Sequence, residues 1–199
     1  MLFVCATPLY WVISRQVMAA DRTTAHKHIG SIGVSLFEFD AEYGRFPDAT
    51  TAAKVKADSK TPLTLGAATS NQIFRQFLAH GLKTERHFYA KIAGSKKPDD
   101  LFHDDAHALA PGECGFAYIA GLSSAVDPGT PIVVCPLIPG TTLFDPKPFG
   151  GKAIVLRVDN ATTVFQIDPT GRVINGGKDL FDPSQSWWNG KAPDIKWQE

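Results

Sequence analysis

The sequence predicts an α+β fold: one long N-terminal helix packed on a small antiparallel β-sheet, followed by a loop-rich C-terminal part. Three observations predict it. Residues 1–43 contain one internal proline, Pro8, and no turn cluster before Tyr43-Gly44-Arg45-Phe46-Pro47-Asp48. Strand-like runs gather in the second half of the chain, so helices come first and strands later, without βαβ alternation. Most of the 14 prolines and 17 glycines lie beyond residue 44, as expected where short strands are joined by many turns.

The long helix divides into two kinds of surface. Ile29, Ile32, Leu36, Phe39 and Tyr43 recur at alternating steps of three and four, the spacing of a helix that buries one narrow stripe. Lys27, His28, Ser31, Ser35, Glu38 and Asp40 occupy the rest of the cylinder. Met1 to Ile13 is instead uncharged and almost wholly apolar, and the first charge is Arg15. At a rise of about 1.5 Å per residue the whole stretch reaches roughly 60 Å, too long for a core helix of so small a domain. Part of it must project. Residues 1–20 are therefore assigned to an apolar stem that enters a membrane or a partner, and residues 21–199 to the globular domain.

The remaining elements follow in order. Asp48-Ala49-Thr50-Thr51 offers N-caps to a short helix over Ala52–Ala57. Ser70-Asn71 caps a second, Gln72–Ala79, with Ile73, Phe74, Phe77 and Leu78 on one face, His80 in its last turn and Gly81 as its stop. Glu85–Ala90 reads as a short strand. Cys114–Ala120 and Pro131–Pro136 are strand-like runs separated by a Ser/Gly/Asp/Pro-rich linker. Lys152–Asp159 and Thr162–Ile167 form the clearest hairpin, turning at Asn160-Ala161, and a short strand follows at Arg172–Ile174. A sheet wrapped on the helix stripe would bury Ile154, Leu156, Val158, Val164 and Ile167 against it.

Composition excludes some functions. Twenty basic and twenty acidic residues give zero net charge, and they are mixed along the chain, so the basic face that nucleic acid requires is not expected. An apolar fraction of 44% supports a packed core. If the two central runs pair as a hairpin closed near Ala125, Cys114 and Cys135 come close to facing each other. A disulfide there would suit an oxidising, extracytoplasmic compartment; two buried thiols are the other reading.

The first fifty residues carry a resemblance. Ala6-Thr7-Pro8-Leu9-Tyr10 and Phe39-Asp40-Ala41-Glu42-Tyr43-Gly44-Arg45-Phe46-Pro47 are similar to segments inside and at the end of the N-terminal helix of type IV pilins and type II secretion pseudopilins. The family's Gly-Phe-Thr-Leu-Ile-Glu processing signature is not in the chain, and alignment on Pro8 would place about twenty further apolar residues before Met1. The resemblance implies a non-enzymatic structural subunit of a secretion pseudopilus or related filament. Such a subunit would sit in the inner membrane with its globular domain in the periplasm, or in a filament at the cell surface. Its partners would be like subunits, packed through Val4, Pro8, Leu9, Trp11, Val12 and Val17. A membrane-anchored extracytoplasmic binding module that does not polymerise is the alternative. Thirteen apolar residues make a rod of only about 20 Å, short of a hydrocarbon core of about 30 Å.

The candidate sites are few. Asp168, Asp179, Asp182 and Asp194 crowd the last part of the chain, where the resemblance implies a structural calcium; Asp-Pro and Asp-x-x-Gly are also ordinary turn chemistry. His103 and His107 share a helical spacing but have no evident third ligand, and His26 and His28 point to different faces of the long helix. Trp187, Trp188 and Trp197 read as pins for a tail or a neighbouring subunit. With no Gly-x-Ser-x-Gly elbow and no phosphate-cradling glycine loop, no enzymatic activity is expected.

Overall fold

A computed structural model describes the backbone of residues 6–199 and the side chains of residues 11–199. Helix α1 spans Ala6–Tyr43, 38 residues, or about 57 Å. Its buried apolar side chains are Ala25, Ile29, Ile32, Leu36 and Phe39, the stripe expected from spacing with Tyr43 only half-buried at its end and one turn added towards the N-terminus; Ser35, expected on the wet face, is buried as well. The helix stops at Gly44, whose φ of 75° is the left-handed conformation that glycine adopts without a Cβ penalty. The Gly44 N–H donates to Asp40 O at 2.7 Å, closing the last turn. The chain then dives into the core: Phe46 is buried, and the hydroxyl of buried Tyr118 donates to Pro47 O at 2.8 Å.

Two short helices follow, α2 (Ala52–Ser59) and α3 (Ser70–His80). Thr69 caps α3 by accepting from Gln72 N, one residue earlier than the expected Ser70-Asn71 cap. Phe74 and Phe77 of α3 stack with Phe88 beneath α1. The strand expected at Glu85–Ala90 is instead a 3-10 turn at Arg86–Phe88. Asp100 accepts Glu85 N at 3.0 Å and pairs with Arg86 at 2.7 Å, so these groups satisfy the backbone without a strand neighbour.

The main sheet is antiparallel, with strands β1 (Ala117–Ala120), β2 (Pro131–Cys135), β3 (Lys152–Arg157), β4 (Thr162–Gln166) and β7 (Asp194–Lys196) in the order β4-β3-β2-β1-β7. A two-stranded ribbon, β5 (Ile174–Asn175) and β6 (Lys178–Asp179), lies in the C-terminal part. The fifth strand is unforeseen: Ile195 pairs with Ile119 and Asp194 with Ala120, so the tail fills the open edge of β1.

Both faces of the sheet are buried. Tyr118, Val133, Ile154 and Leu156 face α1 and α3, while Ile119, Val134, Val155 and Ile195 face a second core built from Leu137, Phe144, Val173, Leu180 and Trp188. The expectation for the helix side therefore holds for Ile154, Leu156 and Val158 and needs correction for the other two. Val164 stands 41% exposed on the outermost strand, and Ile167 belongs to the second core. The C-terminal loops, folded across the sheet's far face, account for the difference.

The disulfide expectation is corrected as well. Cys114 and Cys135 are free, buried thiols. The register pairs Ala117 with Val134 and Tyr118 with Val133; continued along the strands, it sets Phe116 opposite Cys135. Cys114 lies two residues further back, beside Ser70 Oγ at 3.6 Å. Burial pushes the Cys114 thiol up to about 11 and Cys135 well above the usual thiol range, so both stay protonated at neutral pH.

The inner-membrane localisation is not supported either. Among the described residues no helix is long and apolar enough to cross a membrane. Within α1, the charged Arg15, Asp21 and Arg22 lie among the apolar residues of its first half.

Candidate functional site

Among the described residues, a run of uncovered apolar side chains lies on α1. Trp11, Val12, Ile13 and Val17 are exposed by 59, 45, 51 and 46%. At about 100° per residue they point roughly 0°, 100°, 200° and 240° around the axis, so no single face collects them. Trp11 also lies in line with Met18, Ala25 and Ile29, which carries the domain's core stripe past the edge of the domain. Arg15 covers part of Trp11, its guanidinium 4.5 Å from the ring centre.

Contact with the domain begins at Met18, whose Sδ lies beside Gly150, and becomes polar about one turn later. Arg22 donates to Phe149 O at 3.3 Å, and Asp21 pairs with Lys91 at 3.0 Å. From Ala25 onward the stripe is sealed. Gly33 lies so close to the β3–β4 turn that a Cβ there would meet Asn160 Oδ1 at 2.0 Å and Leu156 Cδ1 at 3.2 Å. The lower half of α1 is thus fixed to the sheet while the upper half stands clear of it. Of the expected assembly residues, Trp11, Val12 and Val17 fall on this free half. Val4 lies outside the described residues, as do the side chains of Pro8 and Leu9.

The four C-terminal aspartates do not converge. Asp168 accepts from Thr170 N, Thr170 Oγ1 and Arg172 N within its own turn. Asp179 accepts Phe181 N and Asp182 accepts Ser184 N, each two residues on, and Asp194 pairs with Lys196 at 2.9 Å. Each carboxylate binds its own loop or strand, the turn chemistry that was the other reading of these residues, and Asp179 also pairs with Arg172 at 3.7 Å. Among the tryptophans, Trp188 Nε1 donates to Leu180 O and Trp197 Nε1 to Thr141 O, which ties the tail to the second core. His107 Nδ1 sits 2.8 Å from Asp104 Oδ1, and His28 Nδ1 sits 2.7 Å from Tyr89 O; both rings serve local structure.

Other carboxylates do meet. Among the described residues, Glu85, Asp99 and Glu113 form the one group of three or more potential metal ligands, with an oxygen of each within 4.8 Å of the others. Glu85 is wholly buried and Glu113 nearly so, while Asp99 is exposed. Desolvation pushes Glu85 up to about 7, with Glu113, Asp99 and Asp100 adding to the rise and the Leu109 N–H opposing it. Burial likewise raises Glu113, against the pull of the Ala110 N–H. The sequence offered no signal for this cluster, because its members come from three separate loop segments.

No family model, curated protein or solved structure matches the chain.

Proposed function

We propose that the chain is a non-enzymatic, pilin-like structural subunit that assembles with further copies of itself through its N-terminal helix, as in a type II secretion pseudopilus or related type IV filament. The observation that supports this reading is the free half of α1, where Trp11, Val12, Ile13 and Val17 are exposed around the whole helix. A groove in one partner would cover one face. Side chains pointing in all directions need several neighbours, and the same stem from other copies provides them. Fully burying a side chain of the Val or Ile class contributes about 1.5–3 kcal/mol, so a few such residues per stem are enough to drive association. Arg15 and Gln16, interleaved with them, favour neighbouring stems that are staggered, so that these polar ends reach carbonyls or water.

The test is disulfide crosslinking with single cysteines placed at residues 11, 12, 13 and 17, in a background where Cys5 is replaced by serine. Cys114 and Cys135 are buried and stay out of reach. Oxidation of concentrated protein should give covalent dimers whose yield varies with position, and two cysteines per stem should give longer ladders. Val17→Asp should suppress both. A chain that stays monomeric at every concentration, or that crosslinks equally from exposed domain positions such as residue 164, overturns the proposal.

A further inference from the structure

We propose that Glu85, Asp99 and Glu113 form a binding site for a divalent cation of calcium's size, independent of the assembly reading. The case begins with an orphaned atom. Glu85 is 0% exposed; its Oε1 accepts the Leu109 N–H, and its Oε2 is buried without a hydrogen-bond partner. A carboxylate oxygen sealed from water and left unpartnered costs free energy, and native structures normally satisfy such groups. Here the carboxylate faces the oxygens of Glu113 and Asp99. Among the described residues, none of the three has a lysine, arginine or histidine ion-pair partner. Three acidic groups drawn together without a basic side chain repel one another, and a bound cation would turn that repulsion into attraction.

The scaffold is organised to keep them in place. Glu113 Oε2 accepts Ala110 N at 2.8 Å and its Oε1 accepts Asp99 N at 3.3 Å, so this one side chain ties two of the contributing loops together. Asp99 Oδ1 accepts Leu101 N at 2.7 Å, which orients its carboxylate. The neighbouring Asp100 binds Glu85 N and Thr84 Oγ1, joining the third segment to the second. Each of these carboxylates keeps lone pairs for a ligand. An all-oxygen set without histidine or cysteine selects a hard cation over zinc or copper. Three protein carboxylates held by three loops suit calcium, which takes six to eight oxygens in flexible geometry, better than magnesium, which keeps several of its waters. Exposed Asp99 leaves a way in from solvent and room for water to complete the shell.

The experiment is calorimetric titration of EDTA-treated protein with CaCl2, with MgCl2 in parallel, alongside thermal melts. Calcium should bind with one-to-one stoichiometry, and at about a hundredfold excess over Kd should raise Tm by about 5–10 °C. Asp99→Asn should weaken binding at least tenfold and melt no lower than the parent in EDTA, because Asn Oδ1 still accepts Leu101 N and one repelling charge is gone. Glu85→Gln retains an acceptor for Leu109 N and removes the buried charge. It should melt no lower than the parent in EDTA and lose the calcium response. No heat and no Tm shift at millimolar calcium overturns the proposal. So does a response that survives both substitutions, or one given by magnesium alone.

Discussion

Gly115→Ala is the sharpest single test of how the loop segment before β1 is packed. Gly115 is buried, and its N–H donates to Phe88 O at 2.9 Å, which fixes its distance from the 3-10 turn. A Cβ at this position would stand 2.7 Å from Ala90 Cβ, 2.7 Å from Ala90 O and 2.8 Å from Ala90 N. Two of the three opposing atoms are backbone, so no rotamer change can relieve them. Overpacking of this kind costs about 1–3 kcal/mol. Against it, alanine narrows the unfolded ensemble and returns about 0.4–1 kcal/mol. The steric term is the larger, and the net loss, up to about 2.6 kcal/mol, lowers Tm by about 2–4 °C for each kcal/mol in a chain of this length. Thermal denaturation followed by circular dichroism measures it. Adding Ala90→Gly removes only the Cβ contact and should restore part of the loss. A Gly115→Ala protein that melts at or above the parent temperature would refute the packing argument.

Two further predictions rest on single polar contacts. Tyr118→Phe removes the donor to Pro47 O and leaves a buried carbonyl unpartnered, which should cost about 1–3 kcal/mol in urea denaturation; parental stability would show that the contact contributes nothing. The hydrogen bond that the protonated His107 Nδ1–H donates to the Asp104 carboxylate raises His107 and lowers Asp104. The His107 contribution is therefore complete below the unfolded imidazole's midpoint and is lost as pH rises through the raised folded value. That of Asp104 is complete above the unfolded carboxylate's midpoint and is lost as pH falls through the depressed folded value. In an NMR titration the His107 ring should show a midpoint above 6.5 that returns towards it in Asp104→Asn, and identical midpoints in both proteins would contradict the pairing.

What could be read from the residues alone was whatever carries a local period. The stripe through Ile29, Ile32, Leu36 and Phe39 and the hairpin over β3 and β4 repeat at the spacing of their own backbone, and both were legible. Features that depend on distant partners were not. Ile195 lies in a strand of only three residues, whose hydrogen-bonding edge is supplied by Ile119 far earlier in the chain. The Cys114–Cys135 expectation failed by two places of register, because a long linker sets no register of its own. Glu85 resembled the start of a strand, yet its surroundings are set by Leu109, Asp100 and Glu113, none of them local in sequence.

The placement of β7 has a consequence for how the chain acquires its shape. β1 gains its outer neighbour only from residues 194–196, so as the chain emerges from the ribosome the sheet has an open border at β1 until those residues follow. Unpaired borders of this kind invite pairing with other nascent chains, and long-range closure is slow. The tail thus acts as a late clasp, and variants that weaken its grip should betray themselves first as poor yield and inclusion bodies.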